Sequence, residues 1–460
     1  MILFYDDAAE LTLQATAGIH EAAAVLANNG RRVRVVDLFC ALSEGELAKT
    51  AAGATLVVIH SNGARPGDVY QQVVKLHQFL PTGTPLVVAG WCAGLLSAIV
   101  IDDWLPYVSG LYSDGPCVAS FLQGILSGAL NLYGPRRIWG GDAMAGTASI
   151  SQACLATGYP WKVRTVTWEA PLCDSVCLKC TYGQCLRDSY STDSARILEP
   201  RLAQIAAAGA QYVRLDDQTT PHTPQKLQSL AQLTREFPQL SWLLRLDGAE
   251  LMRTPAILEA IGLLPVSGLA VTLPAVSPAG LHELSLSGDL SQLVTTVRAC
   301  IGDDALLSVT GYIGYAADSP STVDNALTRA QGWFDAGLVD TFTFEQAFLG
   351  KTSPVMFSGK YRFPIPGRFT CRSQPYWESD FSNSDELSEQ CAAGNRQWQR
   401  KGVLHAQYRS LEQQMQLLEL GIAPGIARKA LRGSVEAQSR HSAQIADARA
   451  AFIHRYREQL

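Results

Sequence analysis

The stretch Val163–Cys180 (VRTVTWEAPLCDSVCLKC) joins a short apolar run to a loop with three cysteines. Val163–Trp168 is rich in Val, Thr and Trp, and reads as a β-strand. Cys173, Cys177 and Cys180 then follow as C-x3-C-x2-C. Three thiolates in one loop suit a soft metal centre, because sulfur ligands select iron–sulfur clusters or zinc. Structural zinc takes four ligands, usually in paired C-x2-C knuckles. Cys185 is a candidate fourth, yet its spacing fits no common zinc pattern. A cluster of merely structural thiols is the third alternative.

Downstream, strand-like runs recur at Tyr212–Leu215, Trp242–Leu246, Leu269–Leu273, Leu306–Thr310 and Thr341–Glu345. Helix-like segments separate them at Ser194–Ala208, Pro224–Glu236, Thr254–Ile261, Asp289–Cys300 and Ser321–Ala336. Such alternation predicts parallel strands with crossover helices, wound as a partial (β/α)6 barrel over 163–355. Active sites of such barrels lie at the carboxyl ends of the strands. The cysteine loop follows the first of these strands.

Upstream, Arg34–Leu38, Thr55–His60 and Leu86–Ala89 are apolar runs too short for helices. A helical stretch at Glu21–Asn28 ends at Gly30, a plausible C-cap, and Val69–Leu80 has apolar residues at helical spacing. The expected fold is α/β, a doubly wound parallel sheet over 1–135 whose ligand site lies beyond the strand carboxyl ends. Ser61-Asn62-Gly63 and Gly90-Trp91 stand at those ends, where small residues admit a close ligand or a tight turn.

Residues 131–162 are rich in Gly, Ala and Ser without periodicity, and 136–162 is read as a linker. Residues 351–383 hold many aromatics, Pro and Gly, like an irregular cap. Two helical stretches broken at Gly421–Gly425 complete a C-terminal cap over 356–460, either helical packing or an oligomerisation surface. Cys371, Cys391 and Pro375-Tyr376-Trp377-Glu378 could face an active site, but core packing explains them as well.

The 460 residues carry a net charge of −5, with 17% charged and 47% hydrophobic residues and eleven cysteines. This is ample for two to four domains and excludes intrinsic disorder. No basic excess exists to neutralise phosphates, so nucleic acid is not the expected partner. Leu86–Ile101 is the longest apolar run and is shorter than the roughly 20 residues a membrane span needs. The opening Met-Ile-Leu-Phe-Tyr-Asp-Asp lacks a basic n-region, and the cysteine count is odd. A reducing cytoplasm is the expectation.

The cysteine loop on this strand resembles the radical S-adenosylmethionine superfamily. Tyr212–Gln218 (YVRLDDQ) is similar to that family's second strand. Thr310–Thr322 (TGYIGYAADSPST) is similar to its fifth, with Gly311 and Ile313 in pattern and Gly314 one residue early. Lys179 stands where the family often has an aromatic residue. The resemblance implies that Cys173, Cys177 and Cys180 hold a [4Fe-4S] cluster whose open iron binds S-adenosylmethionine. One electron then cleaves a C–S bond, giving a 5′-deoxyadenosyl radical. Lys179, Asp217, Arg245, Gly311 and Ile313 are the implied contacts to S-adenosylmethionine. An electron donor such as flavodoxin or ferredoxin is the implied partner.

The α/β region ahead of the barrel resembles the cobalamin-binding branch of the superfamily, through AAVLANNGRRVRVVDL, AAGATLVVIHSNG, TPLVVAG and VSGLYSDGPCVASFLQGIL. Ser61, Asn62, Gly90, Trp91 and Gly115 are the implied cobalamin contacts. The family's Asp-x-His-x-x-Gly is missing after Asp37, where Leu38, Phe39 and Cys40 stand. His60 is the nearest histidine. The implied activity is cobalamin-dependent methyl transfer to an unactivated carbon or phosphorus of a small metabolite. Cobalamin-independent radical chemistry (3-amino-3-carboxypropyl transfer, cyclisation or oxidation) and a non-catalytic zinc-binding module are the alternatives.

Overall fold

Ile2–Asp6 forms the strand around which the first sheet is arranged, although its five residues carry no alternating pattern. The computed structural model describes residues 2–6, 26–27, 29–37, 44–60, 66–90, 104–113, 127, 138–140, 163–166, 198–207, 209–215, 223–347, 358–364, 376–400, 418, 422–431, 440, 443, 447 and 450. The chain divides into two units. One holds residues 1–160, 169–171 and 449–460, and the other holds 161–168 and 172–448.

The first unit contains β1 (Ile2–Asp6), β2 (Val33–Asp37), β3 (Leu56–His60), β4 (Leu86–Gly90), β5 (Gly110–Ser113) and β6 (Ile138–Gly140). All pairings are parallel, in the order β2-β1-β3-β4-β5-β6. The direction of winding reverses between β1 and β3, which makes that gap the switch point where such sheets bind ligands. Leu56, Val57, Val58 and Ile59 are wholly buried, so β3 is covered on both faces and its continuous apolar run is explained. Helices α1 (Glu44–Ala51) and α2 (Pro66–Phe79) belong to this layer, and Val69, Val73 and Leu76 of α2 pack with Val57, Ile59 and Val88. Gly30 takes φ +74°, and the Arg31 N–H bonds Leu26 O, the left-handed helix ending its position suggested.

Three readings of this region change. The strand ending at Asp37 is not the first but an edge strand, and β1 precedes it. Gly110–Ser113, read as part of a loop, is the fifth strand. Ile138–Gly140, within the stretch read as linker, adds a sixth strand to the sheet. Three residues are too few to announce themselves by periodicity.

The second unit contains β7 (Val163–Val166), β8 (Tyr212–Leu215), β9 (Ser241–Asp247), β10 (Val266–Leu273), β11 (Leu306–Ile313) and β12 (Thr341–Gln346). These six parallel strands pair strictly in chain order. Between them run α3 (Glu199–Ala207), α4 (Pro224–Thr234), α5 (Gly248–Arg253), α6 (Ala256–Ile261), α7 (Pro278–Glu283), α8 (Leu290–Ile301) and α9 (Pro320–Asp335). Right-handed crossovers in sequential order put the connecting helices on one face. That face carries Val213, Leu215, Trp242, Leu244, Leu246, Leu269, Val271, Leu273, Leu307, Val309, Phe342 and Phe344, all buried. Trp242 Nε1 donates to Thr234 Oγ1 of α4 at 2.8 Å, and Trp333 of α9 meets the Phe342 ring.

Two further helices follow, α10 (Ser384–Arg400) and α11 (Pro424–Leu431). β12 is the edge strand, and α10 covers it. The Asn395 amide accepts from Phe344 N–H and donates to Phe344 C=O, both at 2.9 Å, taking the place of a neighbouring strand. At the opposite, amino-terminal edge, Arg428 of α11 binds Asp340 and Asp303. Among the described residues, no helix is long and apolar enough to cross a membrane.

Candidate active site

The register assigns every strand residue of the second sheet to a face. Opposite the helices lies a row Arg245–Ala270–Ser308–Thr341, and one step toward the carboxyl ends a row Asp247–Thr272–Thr310–Thr343. Tyr312 and Glu345 stand one step farther out. One step deeper lie Arg214, Leu243, Gly268 and Leu306. This inner face is polar, whereas the helix-facing one is apolar. Arg214, Arg245, Thr272, Thr310 and Tyr312 are each partly exposed, and Ser308 and Thr341 share a hydrogen bond at 2.5 Å. The amino half of the face is closed by Leu418, wholly buried in a cluster with Leu243 and Ala270, against which Tyr212 packs. The expected C-terminal cap thus sends a residue onto the inner face, against the rows of Leu243 and Ala270.

The loops at the carboxyl edge are built from capping residues. Thr223, Asp247 and Ser277 accept from the first-turn N–H groups of α4, α5 and α7. The Ser319 N–H donates to Thr322 Oγ1 at the start of α9.

The loop after β11 is tied by Asp318. Its fully buried carboxylate accepts from Gly314 N–H at 2.9 Å, Tyr315 N–H at 3.0 Å and Ser277 Oγ at 2.8 Å. Burial raises the Asp318 carboxyl above its usual range, and these three bonds oppose the rise. Gly314 adopts φ +128°, a turn that side chains resist, so its early position in the glycine pattern has a backbone cause. Tyr361 completes the tie. Its hydroxyl accepts from Ala316 N–H and donates to Glu283 at the end of α7. Burial and the Glu283 carboxylate push that phenol far up. Glu283 Oε2 is buried without a hydrogen-bond partner, with the half-exposed Lys360 ammonium at 3.8 Å.

Of the expected site residues, Arg245 is half-buried on the inner face. Gly311 and Ile313 lie on the helix-facing side of β11. A Cβ on Gly311 would fall 2.4 Å from Val276 Cγ1 and 2.9 Å from Phe342 Cζ, so close packing accounts for this glycine. Ile313 is wholly buried and ends its strand, its carbonyl accepting from Ala347 N–H at 2.6 Å. Cys391 is buried in α10, and Tyr376 and Trp377 belong to the packed segment beside Tyr361. Gly90 is the last residue of β4 and His60 the last of β3, in register with Asp6 of β1. Cys173, Cys177, Cys180, Lys179, Cys185, Asp217, Ser61, Asn62, Trp91, Gly115, Cys371 and Pro375 lie outside the described residues. Sequence reading missed Arg214, Asp318, Glu283 and Tyr361. Arg214 was visible as the polar member of Tyr-Val-Arg-Leu, but the other three depend on distant partners.

The donor chemistry of the inner face fits an amino-acid group such as that of S-adenosylmethionine, since a half-buried guanidinium and hydroxyls suit a carboxylate and an ammonium. For cobalamin the fit is partial. The switch point is present, but the Asp-x-His-x-x-Gly of the cobalamin-binding branch is missing after Asp37.

No protein-family model and no curated protein sequence matches the chain. Solved structures do. One is the radical S-adenosylmethionine methyltransferase TsrM from Kitasatospora setae, with tryptophan substrate and a S-adenosylmethionine analogue bound. It is 11% identical with a TM-score of 0.60, over 96% of this chain and 99% of that one. Another is the cobalamin-dependent S-adenosylmethionine radical enzyme OxsB, with aqua-cobalamin and S-adenosylmethionine bound. It is 10% identical with a TM-score of 0.62, over 97% of this chain and 75% of that one. At these identities the likeness is one of fold, and it spans nearly the whole chain.

Proposed function

We propose that this chain, which has the fold of cobalamin-dependent radical S-adenosylmethionine enzymes, is itself one and methylates an unactivated carbon or phosphorus of a small metabolite. The observation that carries the reading is a likeness of fold over almost the full length, joined to a C-x3-C-x2-C motif that begins at Cys173, shortly after β7 ends at Val166. The second sheet is read as a partial barrel whose inner face forms the reaction chamber.

Cys173, Cys177 and Cys180 would hold a [4Fe-4S] cluster. Arg245, with Lys179, Asp217 and the strand end at Ile313, would hold S-adenosylmethionine. Ser61, Asn62, Gly90, Trp91 and Gly115 would border a corrin at the ends of β3, β4 and β5. When bound, the cluster supplies single electrons to S-adenosylmethionine and the corrin supplies a methyl group. The chain's own residues bind, orient and exclude water. Arg245 fixes a carboxylate by paired N–H donors, and Leu418 shuts the chamber from below. Asp318 holds the loop after β11 in one conformation. A small electron donor such as flavodoxin or ferredoxin and a reducing cytoplasm complete the proposal.

The second reading keeps the cluster and S-adenosylmethionine without the corrin, for 3-amino-3-carboxypropyl transfer, cyclisation or oxidation. It is favoured by the lack of the family's Asp-x-His-x-x-Gly after Asp37, at the end of β2. Anaerobically purified protein tests both. A broad visible shoulder bleached by dithionite, and lost when Cys173, Cys177 and Cys180 are replaced by alanine, is the expected result. Corrin bands separate the first reading from the second. Zinc without iron or sulfide overturns both in favour of a zinc-binding module.

A further inference from the structure

The C-terminal cap reaches the loop after β11 through side chains that the proposed chemistry leaves unused. Within residues 358–364 and 376–384, Arg362 and Glu378 bond each other's backbone at 2.8 and 2.9 Å. The rings of Tyr361 and the wholly buried Trp377 meet edge to face at 5.0 Å. Ser384 Oγ accepts from Trp377 N–H, and Ser384 C=O accepts from Gln346 Nε2, at the end of β12, at 2.6 Å. The two segments are thus one packed body fixed to the end of β12. From it, two groups bond the loop after β11 directly. Tyr361 Oη accepts from Ala316 N–H at 3.0 Å, and Ser382 Oγ donates to Asp318 C=O at 2.8 Å. Ala316 lies three residues beyond Ile313, where β11 ends. Asp318 holds the Gly314 and Tyr315 N–H groups from within the loop, whereas the Ala316 N–H is held by a residue 45 positions later.

Folding stability does not account for this arrangement. Tyr361 Oη donates to Glu283 Oε1, while Glu283 Oε2 is buried without a hydrogen bond and the Lys360 ammonium stands 3.8 Å away. The Glu283 side chain is 3% exposed, and a carboxylate so placed costs free energy to bury. An apolar pair of similar shape would fill the same space without that cost. What the carboxylate does is orient the phenol. By accepting the hydrogen of the hydroxyl, it turns the oxygen's lone pairs toward Ala316 N–H.

We infer, resting on the radical S-adenosylmethionine reading, that Tyr361 is a positioning residue for S-adenosylmethionine. The C-terminal cap sets the affinity for that molecule through Tyr361, Glu283 and the backbone of Ala316. The turn Gly314–Ala316 follows the strand end assigned to S-adenosylmethionine, and the phenol fixes that turn from outside the loop. Tyr361 acts through the turn, without touching the bound molecule, by the kind of hydrogen-bonded chain that couples distant groups.

Variants of the full-length chain, reconstituted anaerobically, are compared for iron content, thermal midpoint, amide exchange and S-adenosylmethionine affinity by calorimetry. Tyr361→Phe is expected to weaken S-adenosylmethionine about five- to tenfold with iron content unchanged, and to speed exchange of the Ala316 amide. Glu283→Gln keeps an acceptor for the phenol and is expected to bind as wild type does. The double variant Tyr361→Phe/Glu283→Leu makes the pair apolar. It is expected to regain part of the thermal midpoint while affinity stays low. Asn395→Leu, which loosens the edge of β12 beneath α10, is expected to lower the midpoint and leave affinity unchanged. Should Tyr361→Phe fail to fold, the double variant carries the same comparison with wild type. Unchanged affinity in Tyr361→Phe, unchanged exchange at Ala316, or affinity that returns with the midpoint in the double variant overturns the inference alone. Wild type that holds iron and binds no S-adenosylmethionine, or that holds no iron, defeats the radical reading itself and the inference with it.

Discussion

Arg428 Nε lies 2.9 Å from Asp340 Oδ1, while Arg298 holds the other oxygen of that carboxylate at 2.7 Å. Asp340 Oδ2 also accepts from Leu307 N–H at 2.8 Å, and its side chain is wholly buried. Arg298 in turn donates to the carbonyls of Leu338, Gly302 and Ala305. One carboxylate thus pins β11, β12, α8 and α11 together at the edge remote from the chamber mouth. Asp340→Ala leaves two cations without their shared counter-charge, and a loss of about 3–5 kcal/mol is expected. Arg428→Ala keeps the Arg298 pair and is expected to cost less, about 1–3 kcal/mol. Urea denaturation of both variants gives the order.

Asp318 gives a pH signature. Its folded pKa is raised, so between the ordinary value of 3.8 and the raised one the folded state binds more protons than the unfolded state. Its contribution to stability is therefore greatest at low pH and falls as pH rises through that window. Asp318→Asn keeps an acceptor for Gly314 and Tyr315 and removes the titration. The difference between wild type and Asp318→Asn in urea midpoints should shift in favour of the variant as pH rises. Asp318→Ala, which strands three donors, should be less stable than either at every pH.

Gly311 tests packing against cofactor contact. Gly311→Ala places a methyl group against Val276 and Phe342, an overfilling expected to cost about 1–3 kcal/mol. Val276→Ala opens the nearer contact. The double variant should recover much of the loss in thermal midpoint. If Gly311 mattered instead for approach of the nucleoside, the second change would leave S-adenosylmethionine affinity low although stability returned.

Asn395 tests the covered edge. Asn395→Leu leaves the N–H and C=O of Phe344 unpaired beneath α10, at an expected cost of about 2 kcal/mol. The Phe344 amide should then exchange with deuterium faster than that of Val309, which lies in β11, inside the sheet. Equal acceleration at both would point to global loosening instead of an exposed edge.

The parts of the fold visible in the sequence are those with many repeats of one signal. Six strands of the second unit were readable because each is an apolar or β-branched run set between helices with caps such as Thr223 and Ser277. β1 was not, since Ile2–Asp6 is short and carries no alternating pattern. The strand order was equally hidden, because Asp6 meets Asp37 and His60 only through pairings between distant segments. Of the candidate site, the cysteine spacing was legible as local chemistry. Glu283, Asp318 and Tyr361 were not, because their roles come from contacts 41 and 78 residues away along the chain. Gly311 fitted a pattern, and the structure explains it by a neighbour the pattern does not contain.

Leu418 also sets a timetable for synthesis. It meets Leu243 and Ala270, which leave the ribosome long before it does, and Arg428 meets Asp303 across 125 residues. During translation the strands are complete while the inner face still lacks its floor. Contacts of such wide sequence separation form late and slow the final step of folding. Shortening the chain before residue 418 would therefore preserve nascent strands and lose a finished chamber.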